Sequence, residues 1–388
     1  MQRSTKRILT THAGSLPRTP DLVKMMIALS THQPIDAVAF EREVAASAER
    51  CVAQQLACGI DIINDGEQSR ESFFTYVQHR LSGFGGESNR PVPRDITQFP
   101  TFLHLKIPDF SREQVSLMRA PKAIGDVHHA NRGPIERECA AFRAMLDARP
   151  DGAFTEPFMT AASPGIVAAA MLNEHYTTDD DYVLAVADAL RPEYEYIVSQ
   201  GFVLQVDCPD LAMERHTSYA DRPLAEFQRY VERNVAALNR ALVGLPRDRV
   251  RVHVCWGNYE APHHHDVPMQ EILPLLYAAH GGAIVLPFAN ARHAHEWRCL
   301  ERMPLPDDWM IVAGVIDTTT NYVEHPEVVA DRIERVALAV GDPSRVLAGT
   351  DCGFDTSAGL GEVAEEVVWE KLRSLSAGAT IASERLFG

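Results

Sequence analysis

Two thiols and an imidazole stand where strands should end. In the stretch Arg249-Val-Arg-Val-His-Val-Cys-Trp-Gly-Asn258, alternating β-branched residues lead to His253 and Cys255, so a strand would aim both side chains at one face. Further along, Arg345-Val-Leu-Ala-Gly-Thr-Asp-Cys-Gly-Phe354 puts Asp351 and Cys352 just beyond a second apolar run. One imidazole nitrogen and two thiolates form a soft donor set that suits zinc, and three protein ligands leave open the fourth position a catalytic zinc needs. A thiol with a pKa near ~8.5 is mostly protonated at neutral pH; binding to zinc removes the proton and leaves a sulfur that can still attack carbon. Two cysteinates also neutralise the metal's charge and keep a bound substrate thiolate electron-rich, which favours thiol alkylation over water activation.

Other reactive side chains sit at similar places. Ser15 lies in Thr10-Thr-His-Ala-Gly-Ser-Leu-Pro17 after a first short strand, Asp65 and Glu67 end a second in Asp65-Gly-Glu67, and Asp207 ends a buried run at Phe202–Asp207. Arg292, beside His293 and His295, offers a planar fork for a carboxylate or sulfonate. A leaving group needs a proton, for which Asp317 is preferred over His128 and His293 because it ends a strand. The triplet His263-His264-His265, in a Pro-bounded loop, reads as a polar loop near the site mouth.

The elements that must position these groups follow a repeat. Strands are expected at Arg7, Ile60, Ala153, Phe202, Val250, Ala283, Met310 and Val346, and helical periodicity follows nearly every one, including 34–59, 133–148, 179–200, 224–242, 269–279, 326–340 and 361–377. Such alternation predicts a (β/α)8 TIM barrel, an α/β fold whose active sites lie at the carboxyl ends of the strands. Residues 1–388 are read as one catalytic barrel, with an insertion around 82–130 in which 99–105 and 120–127 look like extra strands.

Composition narrows the class. A net charge of −16 without a Lys/Arg cluster excludes nucleic acid as a ligand. Apolar runs such as 165–172 and 283–287 are too short to span a bilayer, and no hydrophobic leader follows the amino terminus. Seven cysteines without framework spacing favour a reducing cytoplasm. The partners implied are a small-molecule thiol and an alkyl donor, and the chain is compatible with a homo-oligomer.

Thr10-Thr-His-Ala-Gly-Ser-Leu-Pro17, Asp65-Gly-Glu67, Gln205-Val-Asp207, His253-Val-Cys255, Ala289-Asn-Ala-Arg292 and Asp351-Cys-Gly-Phe354 occur in the order of motifs in the carboxyl-terminal barrel of cobalamin-independent methionine synthase. Across nearly its whole length the chain resembles a short, single-barrel member of that family, which also includes epoxide:coenzyme M transferases. The resemblance implies a catalytic zinc on His253, Cys255 and Cys352, with Ser15, Glu67 and Asp207 holding the amino acid end of a homocysteine-like thiol. Two departures matter. A family zinc-ligand glutamate is replaced within Ala289-Asn-Ala-Arg292, and Ala161–Ala168 lacks the tryptophan expected to stack on folate, so a donor other than folate is expected. The expected activity is zinc-dependent transfer of a methyl or other alkyl group to a small thiol through a zinc-bound thiolate. The alternatives are thiol addition to an epoxide, and a metal-independent lyase or decarboxylase on the same barrel.

Overall fold

Strands buried on both faces need an apolar covering on the outside, and amphipathic helices supply it. The computed structural model describes residues 1–110 and 113–388. Its strands are β1 (Leu9–Thr10), β2 (Ile62–Ile63), β3 (Leu81–Gly85), β4 (Lys122–His129), β5 (Glu156–Ala162), β6 (Val203–Asp207), β7 (Val250–His253), β8 (Ala283–Pro287), β9 (Met310–Ile316) and β10 (Val346–Thr350). Eight lie in one sheet in the order β1-β10-β9-β8-β7-β6-β5-β2, all pairings parallel. The two ends of that order meet through single bonds: Asp61 N donates to Thr10 O at 3.2 Å, and Thr11 Oγ1 to Ile62 O at 3.0 Å. The result is the expected (β/α)8 barrel, nearly closed, with helices outside.

Leu9, Ile62, Phe158, Val203, Val285 and Met310 pack as a cluster inside the barrel, and a larger core lies between sheet and helices. Alternation along β7 turns Arg251 inward with His253. Its guanidinium lies 3.7 Å from the centre of the Phe158 ring and donates to Thr11 Oγ1 at 3.2 Å and His12 O at 3.1 Å. Burial lowers the Arg251 pKa to about 9. Among the described residues no helix is long and apolar enough to cross a membrane.

Two local expectations change and a third holds. The run 99–105 is not a strand but part of the helix Pro100–Phe110: in so short a run, apolar Phe102, Leu103 and Leu105 fit either period, and Pro100 suits a first helical turn. The run 120–127 does form a strand, β4, but it pairs antiparallel with β3 outside the barrel. The helix expected over 269–279 is only two short turns, Met269–Glu271 and Leu273–Leu276, with Pro274 lacking an N–H to continue the ladder. A further helix, Pro20–Ser30, was not anticipated; Thr19 caps it by accepting from Leu22 N at 3.2 Å.

The β9/β10 register shifts between Gly349 and Thr350, just before Asp351 and Cys352. Gly314 permits this close approach, because a Cβ there would lie 2.6 Å from Asp351 Oδ1 and 2.8 Å from Asp351 Cα. Gly314→Ala should therefore cost about 1–3 kcal/mol of stability through overpacking. Urea unfolding of the variant beside the wild type is the measurement.

Candidate metal centre and active site

β7 delivers His253, its extension delivers Cys255, and the turn after β10 delivers Cys352. All three are buried, and one ligand atom from each lies within 4.8 Å of the others. The two sulfurs are 3.8 Å apart. His253 Nδ1 is bonded to Asp207 Oδ1 at 2.8 Å, and Nε2, with only a long 3.4 Å contact to Asp351 O, is the nitrogen that could ligate a metal; Gln205 Nε2 donates to the same carboxylate oxygen at 2.8 Å. Burial acts to lower the His253 pKa, but Asp207 and the neighbouring Cys255 raise it to about 9. The bond from Cys352, against the effect of burial, lowers Cys255 to about 6, while Cys352 itself is pushed up. Cys255 is thus the sulfur already favoured as thiolate. A soft three-donor set with a carboxylate behind the imidazole fits a zinc-type cation.

Asp351 anchors the third ligand. Its carboxylate accepts from Phe288 N at 3.0 Å, Ala289 N at 2.9 Å, Asn290 N at 2.8 Å and Asn290 Nδ2 at 2.8 Å, tying the end of β8 to the end of β10. Burial pushes its pKa up to about 7.

Two cavities open on the same pair of sulfurs. The first, about 900 Å³, is lined by Ser15, Glu67, Asp207, His253, Cys255 and Cys352 among others. The second, about 1020 Å³, also reaches Cys255 and Cys352 and holds Asn290, Arg292, His293 and Asp317. Glu67 is the most constrained residue in the first. It has a φ of 58°, a left-handed conformation uncommon for a side chain of its size. Thr160 Oγ1 donates to its Oε1 at 2.8 Å, while buried Oε2 has no hydrogen-bond partner among the described residues. Gly14 (φ 131°) makes room, since a Cβ there would lie 2.4 Å from Oε1. Burial and the charge of Asp207 push the Glu67 carboxyl up to about 7.

Not every candidate converges. Asp65 accepts from Glu67 N at 3.0 Å and lines neither cavity. His128 is on the outer hairpin, bonded to Ser82 Oγ at 2.9 Å. Asp317 lines the second cavity and is held by its own turn, accepting from Thr319 N at 3.0 Å, Thr319 Oγ1 at 2.9 Å and Thr320 Oγ1 at 2.8 Å. Arg292 is exposed at the mouth of the second cavity, and His295 lies outside both linings.

Sequence reasoning missed a buried knot beside the site. Asp266 accepts from His263 Nδ1 at 3.1 Å and His293 Nε2 at 2.9 Å and lies 3.0 Å from His216 Nδ1 as an ion-pair contact, and Glu296 binds the other ring nitrogen of His293 at 2.7 Å. Opposed by burial, these two acids raise His293 to about 9. The acid that follows the His triplet was the only signal for this knot. Tyr259 joins it, bonded to His216 Nε2 at 2.9 Å and Asp95 Oδ1 at 3.2 Å.

Asp207→Asn should weaken metal binding about 10- to 100-fold in a chelator competition, because it removes the charge that sets the His253 tautomer. Glu67 generates a pH effect. Its carboxyl titrates near 7 in the fold against 4.5 for an ordinary glutamate, so the folded chain keeps a proton that the unfolded chain loses, and stability falls as pH rises through that window. Glu67→Gln should therefore gain on the order of 1–3 kcal/mol relative to wild type between pH 5 and pH 8, read as diverging thermal midpoints.

Residues 8–98 match the family described as the catalytic domain of cobalamin-independent synthase. The methionine synthase of Sulfolobus acidocaldarius is 23% identical over 381 residues, 97% of this chain and 93% of the relative. That of Saccharolobus solfataricus is 23% identical over 333 residues, 84% and 81% of the two chains. In fold, the chain resembles a B12-independent methionine synthase from Shewanella sp. W3-18-1, with a TM-score of 0.72, 20% identity, and coverage of 98% and 99%. The family match over residues 8–98, the two sequence relatives and the shared barrel point the same way: the chain is similar to the cobalamin-independent methionine synthases.

Proposed function

We propose that the protein transfers a methyl or other alkyl group to a small amino-thiol of the homocysteine kind, with zinc held by His253, Cys255 and Cys352. The observation that carries this reading is the buried imidazole and thiol pair opening onto a cavity that contains an unpartnered carboxylate oxygen of Glu67. The naming of the long-range relatives as methionine synthases supports it. Bound zinc would supply the charge that keeps a substrate thiol deprotonated at neutral pH.

The chain's own residues do the rest. Glu67 and Asp207 receive the substrate ammonium, and Ser15 lies in the same wall for the amino acid end. Ammonium binding draws the Glu67 proton off, so the strained residue becomes an ion pair only when substrate is present. On the second-cavity side of the sulfurs, Arg292 receives the leaving group as it gains negative charge and Asp317 passes it a proton. The seven free cysteines suit a reducing compartment such as the cytoplasm.

Cys352→Ser should lose most bound zinc and all thiol-dependent turnover while its circular dichroism stays that of the wild type, since the barrel core is independent of the metal. Full turnover by metal-free Cys352→Ser would overturn the proposal. Glu67→Gln should weaken homocysteine about 10-fold in calorimetric titration, equivalent to ~1.4 kcal/mol, with a smaller loss for a thiol lacking the amino group.

A further inference from the structure

Above its polar floor the first cavity changes character. The outer wall is built by Phe73, Pro91, Pro93, Leu117, Met118 and Met213. These come from three separate places: the loop after β2, the insertion between β3 and β4, and the short helix Asp210–Met213 after β6. Among the described lining residues Arg90 is the only Lys or Arg. Its charge is already matched, because the guanidinium binds Glu214, and the two side chains are only 7% and 1% exposed. The Thr217 and Ser218 hydroxyls donate to the other Glu214 oxygen at 2.6 and 2.8 Å, which fixes the pair.

An anion entering this space would leave water for apolar walls, find no free cation, and approach Glu67 and Asp207 on the floor. An uncharged apolar group would gain by the same burial. The second cavity is the more polar of the two, with Asn290, Arg292, Asp317 and Thr318 in its lining. The two spaces that share Cys255 and Cys352 are therefore sorted by polarity.

We infer that the apolar wall is the binding surface for the alkyl-bearing reactant, and that this reactant is an uncharged molecule with an apolar body, selected chiefly by Pro91, Pro93, Leu117 and Met118 of the insertion. The inference rests on the thiol-alkylation reading and adds the class of the second substrate. The amino-thiol takes the floor, the apolar reactant takes the wall, and both meet at the sulfurs. A donor with a polyanionic tail would have to leave water for a wall whose one Arg is already paired.

The test uses full-length, zinc-loaded protein with saturating homocysteine and a matched pair of unreactive probes, benzyl methyl sulfide and 4-(methylthiomethyl)benzoate, which share a body and differ by one carboxylate. Calorimetric titration should show the uncharged probe binding at least 10-fold tighter. Leu117→Lys and Met118→Lys, both at half-buried loop positions, should each weaken the uncharged probe at least 5-fold and reduce or reverse the preference. Equal binding of the two probes to wild type, or an unchanged preference in both variants, overturns the inference. X-ray absorption at the zinc edge tests the underlying reading separately. If homocysteine adds no sulfur to the zinc shell, the thiol reading fails, even where a preference for the uncharged probe upholds the wall's selectivity.

Discussion

The barrel mouth depends on one hydrogen bond, 2.8 Å between His253 Nδ1 and Asp207 Oδ1. It joins the ends of β6 and β7, which pair in register with Asp207 opposite His253. A ring nitrogen committed to a carboxylate leaves the other one basic and aimed, which is the usual condition for a metal-ligating histidine. The parallel register therefore does chemical as well as structural work. Gln205, two residues before Asp207 on the same face, also donates to that carboxylate and to Ala13 O at 2.6 Å, linking the ligand shell to the loop that carries Ser15.

Much of this was legible from residue order because a barrel turns sequence periodicity into spatial convergence. Polar residues at the ends of apolar runs have one shared destination in that fold, so His253, Cys255, Cys352, Glu67, Ser15 and Asp207 could be grouped before any coordinates. The insertion was less legible for a physical reason. Its apolar residues serve a cavity wall rather than a helix or sheet face, so Pro91, Pro93, Leu117 and Met118 carry no period. The knot at Asp266 was hidden too, since it joins His216, His263 and His293 from three different loops. Asp317 shows a related gap: its place at a strand end was readable, but the three bonds it accepts from Thr319 and Thr320 were not.

The site combines rigid support with local disequilibrium. Asp351 is fully engaged by four N–H donors, and the Arg90–Glu214 pair is clamped by two hydroxyls. Between these fixed points stand a thiol drawn down to about 6 and a carboxyl pushed up to about 7. Neither group has a complete set of partners within the protein's own structure, and each would find one in a bound cation. Such unmet demand is expected where a fold has been shaped around ligands rather than for its own stability.

The left-handed backbone at Glu67 sets a direction for how such a chain can drift. A glycine there would relieve the strain at φ 58° and remove a buried, unpartnered carboxylate oxygen together, so a mutation that removes two costs to folding is also one that erases the floor of the pocket. Selection for thermal robustness alone would thus steer this position toward a well-folded but empty barrel. A retained acidic residue at this point in related chains is consequently a sharper sign of continuing catalysis than retention of the barrel itself.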